Sequence, residues 1–543
     1  MDEQRLQAYV NLINQLLNCS SGELVQILES NRELVDTELL QLIPQVAEQL
    51  AANGKQDSAD FLLSLRSELL KILGISENPT SANASSQDYL KLFKQILQAT
   101  GNSNGDPKVV YPLLEANLDK LDDNFIDILQ RWTSVKFSEA KPETAEYIAK
   151  VIGEFSNLIK DFPLGNKANN IEIAIAGCEV VLTVFTSESN PESWAAIHYN
   201  LGNSYCERIR HDRALNLEKA IAQYQRALCV YTKSDFPIQW GITQTNLGAA
   251  YLYRIHDNRA LNLEKAIEAY QLALSVWTQE DFPDEWATTQ NNLGNAYLYR
   301  IHDNRALNLE KAIEAYQLAL SVWTQEDFPI DWAMTQNNLG EAYRNRIRDN
   351  IAENLEQAIA AYQLALSVRT KKDFPQDWAE TQNNLGNAYS DRIRGDRALN
   401  LELAIEAYQR ALSVYTKEDF PYEWATTQNN LGTAYSDGIH DNRALNLELA
   451  IEAYQLALSV RTKSDFPYEW AQTQNNLGEA YRNRIRDNRA LNLEPEGVTC
   501  KLKSLLGNTF SRYVTKRYMV FWTDLGRSYQ GLSLPLHQSR VNL

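Results

Sequence analysis

A chain of 543 residues, 44% hydrophobic and 22% charged, has the composition of a folded protein rather than a disordered one. Its formal charge of −18 argues against a nucleic-acid partner, because phosphate backbones are gripped by a surplus of lysine and arginine. The sequence has no basic-then-apolar leader at its amino terminus and no uninterrupted apolar run of about 18 residues, and its five cysteines form no Cys-x-x-Cys pair. The expectation is a cytoplasmic protein with no membrane span, no disulfide framework, no metal and no cofactor.

Residues 1–75 are predicted to be helical, with Leu6, Val10, Ile13, Leu16 and Leu17 at helical spacing. The stretch SENPTSANASSQ, residues 76–87, has the composition of a flexible linker. The rest of the segment to residue 141 returns to a helical pattern, with Leu90, Leu92, Phe93 and Ile96 on one face. Residues 142–193 read as a degenerate first repeat. In it Asn170-Ile171-Glu172, Ala174-Ile175 and Thr186 stand 46 positions before Asn216-Leu217-Glu218, Ala220-Ile221 and Thr232.

The array proper is residues 194–494. Trp194, Trp240, Trp286, Trp332, Trp378, Trp424 and Trp470 recur every 46 residues. In the unit that starts at Trp286, one helix is predicted over 283–301, a loop over 302–307, and a second helix over 309–324 with Asn308 as its cap. Trp286, Leu293 and Tyr297 share one side of the first helix; Ala312, Ile313, Tyr316, Ala319 and Leu320 form the stripe of the second. Small Gly294 and Ala319 permit close helix approach. Two short helices cannot bury these stripes alone, so the units must stack, and the expected fold is an all-α solenoid of antiparallel helix pairs. Past Glu494 the pattern is broken by Pro495-Glu496-Gly497, and residues 495–543 form a basic, degenerate tail. Its poorly capped end leaves homo-oligomerisation open.

The motif Leu293-Gly294, Tyr297, Ala312, Tyr316, Ala319 and closing Pro329 resembles the tetratricopeptide repeat family. The family's common unit has about 34 residues; this one is longer in the inter-helix loop and again before the proline, with Gln290 where the family usually has its first-helix tryptophan. Long bacterial units rich in W-A-x-T-Q-N-N-L-G look like those often fused to a caspase-like CHAT protease domain. That resemblance implies a signalling context; the 495–543 tail is too short to hold such a domain, so only a sensing arm is expected. No phosphate loop, nucleophile elbow or His-Glu-x-x-His pair occurs. His256, His302 and His440 share one loop register where other units place arginine, which suits a solvated slot better than a catalytic base. No enzymatic activity is expected.

The candidate site comes from comparing repeats. Along helix A the units differ at four registers: Thr288, Met334, Glu380, Thr426, Gln472; Asn295, Glu341, Asn387, Thr433, Glu479; Leu298, Arg344, Ser390, Ser436, Arg482; and Tyr299, Asn345, Asp391, Asp437, Asn483. The resemblance places this side of helix A on the family's concave, ligand-binding groove. Asn291, Asn337, Asn383, Asn429 and Asn475 do not vary. A second row, Asn200, Asn246, Asn292, Asn338, Asn384, Asn430 and Asn476, persists even in the most diverged unit. A carboxamide can pair with any peptide bond, and helices about 10 Å apart would meet roughly every third residue of an extended peptide. The row is similar to the asparagine ladder of some tetratricopeptide proteins that hold peptides by the backbone; a hydrogen bond between repeats is the alternative. Leu252, Tyr253, Leu298 and Tyr299 would form an apolar section, Arg344 and Arg482 basic spots, Asp391 and Asp437 an acidic one. The recurring Arg254, Asp257, Arg259 and Glu264 are read as an ion-pair network that orders the loop. The expected function is a scaffold or sensor arm that binds a protein or extended peptide; the alternatives are a non-catalytic remnant of a CHAT-type signalling protein and a self-assembling rod.

Overall fold

A computed structural model describes residues 82–438 and 443–487, with scattered positions between 8 and 69. All regular structure among the described residues is helical. The chain divides into two compact units, Met1–Ala145 with Asp161–Ala176, and Glu146–Lys160 with Gly177–Leu543.

In the first unit, Tyr9, Leu12, Ile13, Leu16, Leu39, Leu40, Ile43, Ala47, Leu62, Leu65 and Leu69 form one buried apolar cluster, with Leu17 packed against it. Leu6 and Val10 lie outside the described residues. Helices α1 (Ala82–Ser103), α2 (Pro107–Glu115) and α3 (Asp123–Glu139) follow. Helix α1 therefore starts inside the stretch read as linker. Phe93 meets Phe125 and Trp132 edge-on at 5.7 and 5.4 Å. Asp122 caps α3 by accepting from the backbone N–H groups of Asn124 and Phe125. Helices α4 (Pro142–Asp161) and α5 (Lys167–Val181) cover the expected degenerate repeat, and each spans the boundary between the units.

The second unit holds the array. Its first helices (A) are α6 (Pro191–Glu207), α8 (Pro237–Leu252), α10 (Pro283–Tyr299), α12 (Pro329–Asn345), α14 (Pro375–Asp391), α16 (Pro421–Asp437) and α18 (Pro467–Asp487). Its second helices (B) are α7 (Arg213–Ala227), α9 (Arg259–Ala273), α11 (Arg305–Leu320), α13 (Ile351–Leu366), α15 (Arg397–Leu412) and α17 (Arg443–Leu458). The expected tail, residues 495–543, lies outside the described residues.

Each unit is closed by its own short-range chemistry. Before α10, the Thr278 hydroxyl donates to Asp281 at 2.9 Å and accepts the Asp281 N–H at 3.0 Å, which folds the TQED turn and delivers Pro283 to the first helical position. The loop after α10 turns at Asp303, whose φ is +67°, and Asn304 then caps α11. The cap is thus four residues earlier than the sequence suggested. Asn308 is instead buried inside α11 and donates back to the His302 carbonyl at 2.8 Å, pinning the loop.

Gly294 sits against the ring of Tyr316, so close that a Cβ there would lie 2.5 Å from Cε1. The same glycine–tyrosine contact recurs at Gly202, Gly248, Gly340, Gly386 and Gly432. Stacking is locked by arginines at the loop. Arg300 pairs with Glu264 of the previous repeat at 2.7 Å and with Asp303 at 2.5 Å, and Arg254, Arg346 and Arg392 repeat the inter-unit bond. Arg254, Asp257 and Glu264 take part in the expected ion pairs, while Arg259 donates to the Leu252 carbonyl. Trp286 is only half-buried; among the described residues the fully buried tryptophans are Trp277 and Trp323, just past the ends of B helices.

Candidate binding face

Helices A of successive repeats touch one another in addition to their own B partners. The array therefore curves with the A helices on its inner side. On each A helix the glycine faces its own B helix, and the line 288–292–295–299 falls roughly opposite, at the i, i+4, i+7, i+11 spacing of one helical face.

The two asparagine rows occupy different places. Asn291, Asn337, Asn383 and Asn429 are buried, Asn291 with 1% of its surface exposed. Their Oδ1 atoms accept from the next repeat: Asn338 Nδ2 and the Thr335 hydroxyl reach Asn291 at 3.2 and 3.3 Å. Asn384 Nδ2 reaches Asn337 at 3.3 Å, and Asn476 Nδ2 reaches Asn429 at 3.3 Å. These four thus lie inside the seam between A helices and offer no surface for a ligand, whereas Asn475 on the last A helix is exposed; two adjacent positions on a helix point about 100° apart. The second row, from Asn200 to Asn476, is half-buried. The inter-repeat hydrogen bond left open by the sequence is present at Asn246, Asn338, Asn384, Asn430 and Asn476, and it uses only the Nδ2 side of each carboxamide.

The register of Leu298 also turns inward. Leu252 and Leu298 are each 1% exposed, packed between helices, whereas their neighbours Tyr253 and Tyr299 are half-buried at the inner face. The expected apolar section therefore reduces to its tyrosines. The expected charged positions are each paired within the protein. Arg344 meets Asp391 of the next repeat at 2.9 Å, Asp437 meets Arg397 at 3.4 Å, and Arg482 meets Glu479 on its own helix.

Burial strengthens the acidic character of this face beyond the Asp391 and Asp437 section read from the residues. Burial, with Asp377 and Glu341 nearby, pushes Glu380 up to about 7 despite Arg369 at 3.5 Å. Burial, with Glu479 and Asp391, likewise raises Asp437. Burial raises Tyr253 and Tyr299, and the charge of Glu380 adds to the shift at each. Among the described residues no group of histidine, cysteine and carboxylate side chains is arranged to hold a metal, and no helix is long and apolar enough to cross a membrane.

Antiparallel helix pairs stacked in register, with one helix of each pair lining an inner face, define an α-solenoid scaffold. Four of its segments, residues 286–329, 332–375, 378–422 and 470–508, match the model of the family described as "Tetratricopeptide repeat". Among solved structures, a signal transduction ATPase with numerous domains carrying a tetratricopeptide repeat sensor, from Pyrococcus horikoshii, is similar at 16% identity and a TM-score of 0.38. That match covers 74% of this chain but only 55% of the other. The Cut9-Hcn1 hetero-tetramer of the APC/C matches at 14% identity and TM-score 0.39, over 88% of this chain and 93% of that one. The tetratricopeptide domain of P58(IPK) matches at 13% identity and TM-score 0.25, over 74% and 99%. No curated protein matches the chain.

Proposed function

We propose that this chain is a scaffold that binds an extended polypeptide along the inner face of its A helices. The observation that carries the reading is the second asparagine row. Its half-buried carboxamides recur once per repeat, and the bonds between repeats engage their Nδ2 atoms, while the Oδ1 atoms of Asn338, Asn384 and Asn476 accept no hydrogen bond from the described residues. An amide group of this kind can pair with peptide N–H groups whatever the ligand's side chains. The registers beside it vary between repeats and supply the specificity, through Tyr299, Glu341, Glu380 and Asp437.

The test uses peptides of about 15 residues, long enough to cross about five repeats when extended, selected from a random display library against the wild-type protein. A folded Asn338→Ala, Asn384→Ala double variant should bind them at least about tenfold more weakly. Equal affinity would overturn the reading, as would a library that yields no binder.

A further inference from the structure

One position on the inner face breaks the pattern of its neighbours. In most repeats a polar residue at the 295 register accepts from the helix B tyrosine behind it. The Tyr224 hydroxyl donates to Asn203 at 2.7 Å, Tyr316 to Asn295 at 2.7 Å, Tyr408 to Asn387 at 2.8 Å and Tyr454 to Thr433 at 3.2 Å. Two of these acceptors also take the second-row asparagine of the next repeat, Asn246 to Asn203 at 2.9 Å and Asn430 to Asn387 at 3.2 Å. Such an asparagine oxygen is a shared acceptor for two donors.

In the second repeat this register is Ala249. The consequences appear at both donors. The Tyr270 hydroxyl is completely buried and has no hydrogen-bond partner. Asn292 of the next repeat, half-buried, has no side-chain partner among the described residues, since Thr245 also replaces the asparagine that Asn338 finds at Asn291. Ala249 itself is partly exposed, whereas the Tyr270 hydroxyl behind it is covered. Leaving a buried donor unsatisfied is destabilising, and proteins keep few of them.

We propose that a ligand's amide carbonyl takes the place of the missing oxygen beside Ala249, displacing the side chains that cover the Tyr270 hydroxyl and accepting from it and from Asn292. This deepens the peptide-binding reading and rests on it. The acceptor is an amide carbonyl because the oxygen it replaces is the carboxamide oxygen that Asn203, Asn295 and Asn387 supply in the other repeats. The carbonyl can belong to the ligand backbone or to an asparagine or glutamine side chain.

Two variants test it with the library-selected peptides. Ala249→Asn installs the acceptor found in the first, third and fifth repeats; it should raise the unfolding midpoint and weaken peptide binding about tenfold. Tyr270→Phe removes an unsatisfied hydroxyl; it should weaken binding several-fold while leaving the midpoint unchanged or higher. Replacing each asparagine or glutamine of the peptide by alanine tells the sources apart. Retained sensitivity to Ala249→Asn assigns the backbone carbonyl, and lost sensitivity assigns the side chain. The inference is overturned if both variants bind like wild type, if Tyr270→Phe lowers the midpoint, or if affinity is set by an acidic residue of the peptide. If the Asn338→Ala, Asn384→Ala variant loses binding while these two do not, the peptide-binding reading stands and this one falls.

Discussion

The Nδ2 atom of Asn338 lies 3.2 Å from Oδ1 of Asn291, one repeat earlier, and the Thr335 hydroxyl shares that oxygen at 3.3 Å. Asn291 is therefore a seam residue and Asn338 a residue with one foot in the seam. Asn291→Ala should leave the Asn338 amide without its partner, while the Thr335 hydroxyl keeps the Asp331 carbonyl at 2.8 Å, and should cost about 1–3 kcal/mol. Asn338→Ala, half-buried and with one bond to lose, should cost about 1 kcal/mol or less. A double-mutant cycle by urea unfolding should give a coupling of about 0.5–1.5 kcal/mol. Additive single effects would show that the bond contributes nothing.

Gly294 is held to its size by the Tyr316 ring, which cannot retreat because its hydroxyl donates to Asn295 at 2.7 Å. In an unobstructed helix Gly→Ala stabilises by up to about 1 kcal/mol. Here Gly294→Ala should reverse that sign and destabilise by about 1–3 kcal/mol, because the added methyl forces the ring or the helix to move. A raised unfolding midpoint for Gly294→Ala would refute the contact.

How much of this was legible in the residues depends on the distance over which the cause acts. The 46-residue tryptophan period, the Leu-Gly pair and the helix B tyrosine gave the helix pairs and their packing, because Gly294 and Tyr316 meet within one unit. The helix cap was misplaced from Asn304 to Asn308 because the left-handed turn at Asp303 has no unambiguous residue signature. The roles of Asn291 and Asn292 could not be separated, since a wheel gives their directions but not where the next A helix stands. Arg344 looked like a free cation because its partner, Asp391, is 47 residues away and is set by the stacking geometry.

Glu380 makes the array's stability depend on pH in a direction opposite to that of a salt-bridged carboxylate. Its folded pKa, about 7, lies above its ordinary 4.5, so between these values the folded chain holds a proton that the unfolded chain has released. Its contribution is present below about pH 4.5 and is lost as pH rises through 7, a change of about 3 kcal/mol at most. Burial, then Arg369, Asp377 and Glu341, set this balance. Glu380→Gln should flatten the fall in unfolding free energy between pH 5 and 8 relative to wild type, measured by urea titrations about one pH unit apart. Parallel curves for the two proteins would remove Glu380 as the cause.

Arg461 occupies the register of Tyr231, Trp277, Trp323 and Tyr415, and only 3% of its surface is exposed. In the corresponding slot two repeats earlier, Arg369 has Glu380 at 3.5 Å and Asp377 at 3.6 Å. Around Arg461 the Glu380 register holds Gln472, and the guanidinium donates only to the Thr473 and Thr426 hydroxyls, at 2.9 and 2.7 Å, with Nε unpaired. Burial lowers its pKa, the mark of a charge that its surroundings do not repay. Arg461→Tyr would recreate the Tyr415 arrangement, in which the ring packs beside Ala379 and the edge of Phe420. Because apolar side chains often outperform a buried charge, the variant should gain about 1–3 kcal/mol. Its thermal midpoint should rise at neutral pH and should respond less to salt than that of wild type; a lower midpoint would mean that the two threonine bonds compensate the charge fully.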